Sequence, residues 1–576
     1  LNCQKKMTNI GRVTFVPLVC LCGKILSNLK GPHLFKMVKT TIADLQSLKG
    51  VRKVVATTAF DTWTAAAAQE AGVDLIVAWA NTLEDTKFVV SQVRKGAPDV
   101  VIGTGLPIDI AYNSQEDALR CAAELREAGV DVMYCSALVP DKFEGLCKQH
   151  YPCCGHCGYL PVNDTWFGGP RGVGKTPSEA IKLWDDIIAL EKAGCYAIEL
   201  ECAPARFGEL ITSRTKMSII SMGSGNLDGQ YVFAEDLFGS NPGHVPMHAV
   251  VYGDMYKDAV RHLTSYKDDV LSGKYPTEEH CIKIPDGEFD KFMEHLSSHP
   301  VVPPPSTAFK PKGQKLTIWD LKALKGKRKL VVTTAFDYWT AKAAEEAGAD
   351  LILGWGSDLN STQYVVREVR RGAPNTLIGS GLPHPAHCSQ RDALATAGAL
   401  RNVGVDVFYC SGLVPDKFEG LCKQHYPCTG HVGYLPVNNE WFGGPRAVGK
   451  TAAEAIKVFE DVKALEAAGC IAIEMECVPA RVAAEITKRT NMIIISMGSG
   501  PDCDGQFLFA EDVLGSNNGK VPRHAKVYGN FYKDAVGYFN KYKEAVLNQA
   551  YPEKKHEIKM SDEAYEALLK HVDGKK

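Results

Sequence analysis

Positive charge is not in excess in this chain. The 65 Lys and Arg residues are balanced by 67 Asp and Glu residues, which leaves a net charge of −2 over 576 residues. No basic run with interleaved aromatic residues is present, so nucleic acid and anionic membranes are excluded as broad partners. The apolar stretch at 13–22 has about half of the ~20 residues that a transmembrane helix needs.

Cysteine is abundant, with 19 residues, but a finger-type metal site is missing. Cys153, Cys154, His156 and Cys157 cluster, yet no second ligand pair follows at finger spacing. The other cysteines are scattered through apolar segments, as is typical of buried thiols in a reducing compartment. We therefore expect no zinc site and a cytoplasmic or mitochondrial location.

The chain contains two copies of one sequence. Residues 138–153, LVPDKFEGLCKQHYPC, recur unchanged at 413–428, and TTAFDTWTA at 57 returns as TTAFDYWTA at 333. A period this long exceeds that of solenoid repeats and indicates two whole domains in tandem. We predict domains at 40–290 and 316–552, a stiff proline-rich linker at 291–315 and a polar tail at 553–576.

Residues 1–39 precede the repeat, and we expect them to be a leader or a non-native extension. Their basic residues and apolar stretch are typical of a signal or organelle-targeting peptide. Met37 stands just before the repeat, so upstream sequence translated in error is the alternative.

Short apolar runs alternate with amphipathic segments in each copy. KVVATTAF, DLIVAWA, DVVIGTG, VDVMYCSAL, YAIELEC and MSIISMGSG lack period-two alternation, which is typical of parallel strands covered on both faces. Alternating β and α units over this length predict an α/β fold with two tandem (β/α)8 TIM barrels. A doubly wound open sheet is the alternative, although no glycine fingerprint follows the first strand.

In a (β/α)8 barrel, functional residues lie where the strands end. The residues that end the predicted strands are Asp61, 79–81, 104–106, 134–136, His156, Glu201 and 223–225, with Asp337, 355–358, 380–382, 409–411, His431, Glu476 and 498–500 in the second copy.

Glu201 and Glu476 are the candidate general bases. Each lies at the end of an apolar run, in ELECAP or EMECVP, where partial desolvation raises the pKa of a carboxyl group toward the range useful for proton abstraction. A structural glutamate bonded to a backbone amide is the alternative. Glu199 and Glu474 lie two residues earlier on the same strand face, where they can share a hydrogen-bond network with the candidate bases.

His156 and His431 follow a predicted strand and precede a glycine turn. They are interpreted either as substrate-binding residues or as hydrogen-bonded structural histidines. The glycine-serine-glycine turns at 223–225 and 498–500 either offer amides to a carboxylate or are simple tight turns.

The loops GGPRGVGKT and GGPRAVGKT match the nucleotide-binding pattern G-x-x-x-x-G-K-T. That pattern needs a buried strand directly before it, and LPVNDTWF and LPVNNEWF are poor candidates for one. A basic lid over an anionic substrate, carrying Arg171, Lys175, Arg446 and Lys450, is favoured over a nucleotide site, and a solvated loop is the third interpretation.

With these motifs in order, each copy resembles ketopantoate hydroxymethyltransferase (3-methyl-2-oxobutanoate hydroxymethyltransferase). The resemblance lies in TTAFD, VRRGAPNTLIGSGLP, GHVGYLPV followed by FGGPR, EMECVPA, SMGSG followed by DGQ, and GKVPRHAKVYG. It implies a (β/α)8 barrel of the phosphoenolpyruvate mutase and isocitrate lyase superfamily, Mg²⁺, a 2-oxo acid substrate and methylenetetrahydrofolate as a co-substrate in pantothenate biosynthesis. It also implies a homo-oligomer, because the family forms rings of barrels.

The family's catalytic glutamate falls on Glu201 and Glu476, and its histidine falls on His156 and His431. The family's metal aspartates, and the lysine and glutamate of its KIEGG motif, do not carry over. Their positions hold Ala80, Gly105, Tyr134 and Ser136 in the first copy, and Gly356, Gly381, Tyr409 and Ser411 in the second. Asp358 is a candidate replacement ligand in the second copy alone.

These assignments predict an enzyme that acts on a 2-oxo acid through Glu-catalysed enolate formation. The predicted substrate-binding residues are Tyr134, Ser136, His156, Tyr409, Ser411 and His431. No metal ligand is predicted, and Mg²⁺ is disfavoured because its carboxylates are replaced. The alternatives are another carbon–carbon lyase or transferase acting on a small carboxylate, or a non-catalytic barrel protein kept for assembly or regulation.

Overall fold

The computed structural model describes residues 39–108, 112–134, 139–243, 245–305, 315–383, 386, 388–409, 412, 414–519 and 521–574. The leader predicted at 1–39 lies outside this range except for its last residue, and so do the predicted substrate-binding residues Ser136 and Ser411. No helix within the described ranges has the length and apolar character to cross a membrane.

The described strands form two closed parallel barrels of eight strands each. The first barrel consists of β1 (Val54–Thr58), β2 (Leu75–Val77), β3 (Val101–Gly105), β4 (Val132–Tyr134), β5 (Cys153–Gly158), β6 (Ala197–Glu201), β7 (Ser218–Met222) and β8 (Gly229–Val232). The second consists of β9 (Leu330–Thr334), β10 (Leu351–Leu353), β11 (Leu377–Gly381), β12 (Val407–Tyr409), β13 (Cys428–Gly433), β14 (Ala472–Glu476), β15 (Ile493–Met497) and β16 (Gly505–Leu508). The predicted tandem TIM barrels are confirmed, and the open sheet is wrong.

Two strands of each barrel escape the sequence prediction. Their sequences, CCGHCG for β5 and GQYV for β8, contain few of the β-branched residues that signal a strand. His156 and His431 lie inside β5 and β13. The prediction that each histidine follows a strand is therefore wrong.

Helices surround both barrels. Those of the first copy are α1 (Ile42–Ser47), α2 (Thr62–Ala71), α3 (Leu83–Gly96), α4 (Gln115–Ala128), α5 (Pro140–Lys148), α6 (Asp164–Phe167), α7 (Pro177–Ala193), α8 (Ala205–Arg214), α9 (Ala234–Phe238), α10 (Met255–Ser272) and α11 (Asp286–Leu296). Those of the second copy are α12 (Ile318–Leu324), α13 (Tyr338–Ala347), α14 (Leu359–Gly372), α15 (Gln390–Asn402), α16 (Pro415–Lys423), α17 (Ala452–Ala467), α18 (Ala480–Thr487), α19 (Ala510–Leu514), α20 (Phe531–Leu547) and α21 (Asp562–Gly574).

The segments after the last strand of each copy pack against the barrel of the other copy. Helices α10 and α11 of the first copy pack on α13 and α17 of the second. In return, α20 and α21 of the second copy pack on α2 and α7 of the first. The predicted polar tail is therefore an amphipathic helix in α21, since Ala564, Leu568 and Val572 are buried.

Buried tyrosines attach the exchanged helices to strands of the other copy. The hydroxyl of Tyr266 in α10 donates to the backbone carbonyl of Gln506 in β16 at 2.9 Å. The hydroxyl of Tyr542 in α20 donates to the carbonyl of Ala56 in β1 at 3.2 Å. Each exchanged helix thus completes the hydrogen bonding and the core of the barrel that it covers.

Truncation of a buried side chain in the second copy should weaken the first barrel. Phe539 in α20 is fully buried, and its ring centre lies 4.8 Å from that of Phe238 in the first copy. We expect Phe539→Ala to cost about 3–5 kcal/mol and to speed hydrogen exchange in residues 62–71. The exposed Lys533→Ala on the same helix is the control. Faster hydrogen exchange confined to residues 338–347 would contradict the packing of α20 on the first barrel.

Candidate active site

The register of β5 and β6 places one histidine beside two glutamates. His156 pairs with Glu199, and Gly158 pairs with Glu201 one pleat nearer the C-terminal mouth. Alternate residues of a strand share a face, so Glu199, Glu201 and His156 all point into the barrel. A side chain at Gly158 would meet the Glu201 carbonyl at 2.0 Å, so glycine permits this close approach of the strands.

In the first barrel the three side chains form a buried cluster. His156 Nε2 lies 2.9 Å from Glu201 Oε2, in hydrogen-bond geometry, and 3.7 Å from Glu199 Oε1. Each of the three residues is less than 9% exposed. Glu199 and Glu201 thus both lie beside His156, but only Glu201 is hydrogen-bonded to it.

The second barrel repeats the arrangement with a small difference. His431 Nε2 lies 3.1 Å from Glu476 Oε2 and 3.8 Å from Glu474 Oε1. These pairs are close enough for ion pairing, but His431 Nε2 has no aligned hydrogen-bond partner among the described residues. The contacts of His431 with the two glutamates are therefore slightly longer than those of His156.

Burial and mutual charge set the protonation of the cluster. Burial alone would lower the pKa of His156, but the Glu199 and Glu201 carboxylates outweigh it and raise that pKa to about 8. Burial raises the pKa of Glu199 to about 7, against the attraction of His156. His156 and Glu199 therefore both titrate near neutral pH, as is common at functional sites.

Strained backbone follows each candidate base. Cys202 and Cys477 adopt left-handed conformations, with φ of 51° and 54°, which are unfavourable for a residue with a side chain. The chain turns away from the strand at this point, so the strand ends with the glutamate at the mouth. Strain of this kind is concentrated at functional sites.

A cavity of about 410 Å³ lies at the mouth of the second barrel. Glu474, Glu476 and His431 line it on one side. Leu353, Met497 and Phe507 form part of its apolar wall. This volume falls in the range of small-molecule sites.

His524 also lines this cavity, and sequence reasoning missed it. Its counterpart His248 lies with Nδ1 3.9 Å from the sulfur of Cys202. Burial lowers the pKa of both histidines, so they are neutral at pH 7. His524 lies in the motif GKVPRHAKVYG, which was noted only for the family resemblance. The motif is in a loop, where no periodicity marks a functional residue.

Both predicted tyrosines lie in the interior of their barrel. Tyr409 lines the second cavity, and its buried hydroxyl has no aligned partner within the described part of the chain. The ring of Tyr134 lies over Gly103, where a side chain would meet it at 2.6 Å, and the ring of Tyr409 lies over Gly379 in the same way, at 2.9 Å. Burial raises the pKa of both hydroxyls, so both stay protonated and can donate.

The glycine-rich basic loop is held by its own helix. A 3-10 turn at Pro161–Asn163 and α6 precede it, so the strand that a nucleotide site requires is absent here. The Arg171 guanidinium pairs with Glu179 at 2.7 Å, and Arg446 pairs with Glu454 at 2.8 Å. Both arginines are thus paired with a glutamate in the first turn of the helix that follows the loop.

The glycine-serine-glycine turn is structural. Ser224 Oγ donates to the Leu200 carbonyl at 2.8 Å and accepts from the Ala203 amide at 2.9 Å. The Ser224 amide donates to Ser221 Oγ at 3.0 Å. The turn therefore ties the loop after β6 to the loop after β7 and has no amide of Ser224 left for a ligand.

Strand alternation explains why the cysteine cluster is not a zinc site. Cys154 and His156 face the barrel interior, whereas Cys153 and Cys157 face the outer helical layer. Ligands on opposite faces of one strand cannot meet at one ion. Within the described residues, the groups able to bind a metal are His156 with Glu199 and Glu201, and their counterparts in the second copy.

A larger cleft of about 1190 Å³ lies between the two barrels. It shares Trp355 and Phe509 with the cavity of the second barrel. The strand-end residues Asp61 and Asp337 also line it. Burial raises their pKa values to about 6 and about 7, although each caps a helix by accepting a backbone hydrogen bond.

Comparison with known proteins agrees with this geometry. A family model described as ketopantoate hydroxymethyltransferase matches residues 39–278 and 315–554. The chain belongs to the ketopantoate hydroxymethyltransferase family. The 3-methyl-2-oxobutanoate hydroxymethyltransferase of Kosmotoga olearia is 38% identical over 247 residues, which are 40% of this chain and 92% of the relative. That of Staphylothermus marinus is 35% identical over 260 residues, or 42% and 96%.

Among solved structures, 2,3-dimethylmalate lyase, a PEP mutase/isocitrate lyase superfamily member, is similar at 11% identity with a TM-score of 0.29. The similarity covers 45% of this chain and 96% of that one.

At the metal positions that the family resemblance assigns, Ala80, Gly105, Gly356 and Gly381 carry no side-chain oxygen, whereas Mg²⁺ prefers six oxygen ligands in an octahedron. A side chain at position 356 would lie 2.4 Å from Ser361 Oγ and 2.5 Å from the Ser361 backbone, so a carboxylate has no room there. Asp358, the candidate replacement, caps α14 by accepting from the Ser361 amide at 2.9 Å. The His-Glu-Glu cluster offers one nitrogen and two carboxylates, which is not an all-oxygen set.

Glu199→Gln combined with Glu474→Gln should flatten the pH dependence of stability. The pKa of Glu199 is about 7 against an ordinary 4.5, and that of His156 is about 8 against 6.5. The folded state therefore binds more protons than the unfolded state in this window, and stability falls as pH rises through it. We expect the variant to lose less stability than wild type between about pH 5 and pH 8.5, by roughly 1–3 kcal/mol per barrel.

Urea unfolding at several pH values measures this difference. The exposed Glu209→Gln should follow wild type. A double variant with the pH dependence of wild type would contradict the assigned protonation of the cluster.

Proposed function

We propose that this chain is an enzyme that removes the C3 proton of a 2-oxo acid, in the manner of 3-methyl-2-oxobutanoate hydroxymethyltransferase. The observation that supports this most is the duplicated cluster in which His156 and His431 each contact two buried glutamates at a barrel mouth. The apolar wall of the second cavity suits a small branched side chain.

Glu201 and Glu476 are proposed as the bases. Each ends its strand at the mouth, and Glu476 directly lines the cavity. The carboxylate takes the C3 proton, and the electrons of the broken C–H bond form the C2–C3 double bond of an enolate. The negative charge then lies on the C2 oxygen, which needs a positive or hydrogen-bonding partner.

His156 and His431 are proposed to supply that partner. Glu199 and Glu474 hold the imidazole in its charged form by raising its pKa, so each histidine can donate to the C2 oxygen. Arg446 and Lys450 do not line the described cavity, whose basic side chains are His431 and His524. In this proposal, the imidazolium carries the charge that Mg²⁺ supplies in the family.

Methylenetetrahydrofolate is proposed as the one-carbon donor on the strength of the family alone, and a homo-oligomer on the same ground. Another carbon–carbon lyase or transferase reaction would pass through the same type of enolate. Proton transfer is therefore a step of that reaction as well as of hydroxymethyl transfer. A barrel protein kept for assembly would need neither the strained Cys202 and Cys477 nor the buried charges.

Exchange of the C3 proton of 2-oxoisovalerate into D₂O tests the base. We expect exchange by the wild-type chain and a loss of about 100-fold or more in Glu201→Gln combined with Glu476→Gln, in line with the contribution of general bases. Each single variant should keep the activity of the other barrel. The exposed Glu209→Gln is the matched control.

Nuclear magnetic resonance of the substrate measures the rate. If the wild-type chain causes neither exchange nor a ligand-induced thermal shift, the non-catalytic alternative holds.

Divalent metal should have little effect on this exchange. Because the imidazolium replaces the ion in the proposal, rates in the presence of a chelator and of added Mg²⁺ should agree within about twofold. A large loss with chelator that Mg²⁺, Mn²⁺ or Zn²⁺ restores would show that the cluster binds an ion and that this part of the proposal is wrong.

A further inference from the structure

A segment beyond the last strand of each copy reaches the candidate site of the other barrel. These two segments, residues 275–286 and 551–562, are called the tails from here on. Residues 275–286 of the first copy contact the second barrel at two points, the loop that carries His524 and the loop after Glu476. Residues 551–562 of the second copy make the matching contacts with the first barrel. The arrangement is reciprocal, and the two tails are related in sequence: YPTEEHCIKIPD at 275–286 and YPEKKHEIKMSD at 551–562 are identical at six of twelve positions.

The first contact is a hydrogen bond to the backbone of the cavity histidine. The hydroxyl of Tyr275 donates to the His524 carbonyl at 2.6 Å. The opposite side of His524 rests on Gly498, where a side chain would meet the histidine Cβ at 2.9 Å. Tyr551 and Gly223 hold His248 in the same way. The backbone of each histidine is thus fixed between its own barrel and the tail of the other copy.

The tyrosine itself is rigidly placed. Tyr275 is 3% exposed, and its ring meets those of Tyr266 and His280 edge-on at 6.0 and 5.2 Å. Tyr266 is in turn bonded to the carbonyl of Gln506 in the second barrel. The hydroxyl of Tyr275 is therefore directed by a packed aromatic group and not by a flexible loop.

The second contact holds the loop that follows the candidate base. The Ala480 amide donates to the Ile282 carbonyl at 3.0 Å, and the Ala205 amide donates to the Ile558 carbonyl at 3.0 Å. Ion pairs at 2.5 Å flank both contacts, Arg481 with Asp286 and Arg206 with Asp562. One tail thus touches both loops that frame the mouth.

We propose that Tyr275 and Tyr551 are positioning residues for the site of the opposite barrel, with His524 and His248 as additional site residues. Each barrel then has a complete site only when the tail of the other copy is docked. This inference rests on the proposed function for the role of the site, but the clamp itself does not depend on it. It also explains what the fusion of two copies achieves: each site receives its clamp from the same chain.

Tyr275→Phe and Tyr551→Phe in the full chain test the clamp, because they remove one hydroxyl and keep the ring. Hydrogen–deuterium exchange should become about three- to tenfold faster at 522–528 in Tyr275→Phe, as expected for the loss of one hydrogen bond, with 246–252 unchanged. Tyr551→Phe should show the reverse pattern. Tyr256→Phe is the matched control, because its hydroxyl also crosses between the copies, to Glu346 at 2.7 Å, but at a surface helix.

A kinetic experiment tests the same substitutions with only one barrel active at a time. In a Glu201→Gln background only the second barrel is active, and Tyr275→Phe should lower its kcat/KM for proton exchange about three- to tenfold. In a Glu476→Gln background the same substitution should have no effect. A purely structural role would lower the melting temperature without this crossed pattern.

The outcomes separate the two proposals. Unchanged exchange at 522–528, or equal effects on both barrels, would overturn the clamp. A wild-type chain without any proton exchange would overturn the proposed function, while the deuterium pattern would still decide whether the tail holds His524.

Discussion

The reciprocal exchange of helices is the constraint on which the rest of the structure depends. Each barrel has an apolar face that its own copy does not cover, and the buried rings of Tyr266, Phe539 and Tyr542 from the other copy pack there. Burial of one large side chain contributes roughly 1.5–3 kcal/mol, so each exchanged helix stabilises the barrel that it covers. Neither copy is a self-sufficient unit, and stability and site geometry are shared across the whole chain.

The candidate site follows from strand geometry in a closed barrel. Parallel register places His156 opposite Glu199, and the two-residue strand period places Glu201 on the same face at the mouth. The same closure buries the cluster, which raises the pKa of Glu199 and Glu474, and the carboxylates in turn raise the pKa of His156 and His431. This arrangement makes the cluster suitable for proton transfer at neutral pH. In the proposed mechanism, the imidazolium stabilises the negative charge that develops on the substrate.

Much of this site could be predicted from the sequence. The apolar runs that end in Glu201 and Glu476 marked the candidate bases, because a charged residue at the end of a buried strand is unusual. His156 and His431 were also identified, but their strand was not, since CCGHCG has little β propensity. His248 and His524 were missed because loop residues carry no periodic signal. Their proposed place in the site depends on the folded chain, where Gly223 and Gly498 lie against them.

The sequence by itself determined the tandem repeat, the closed α/β barrels and the glutamates at the strand ends, because these depend on local periodicity and on the order of elements. Only the tertiary structure decided which barrel each terminal helix covers. An amphipathic helix such as α10 has the same pattern of apolar residues whether it covers its own barrel or its neighbour, so the choice depends on the path of the connecting loop and on the fit of side chains at the receiving face. The clamp of Tyr275 on His524 follows from that choice.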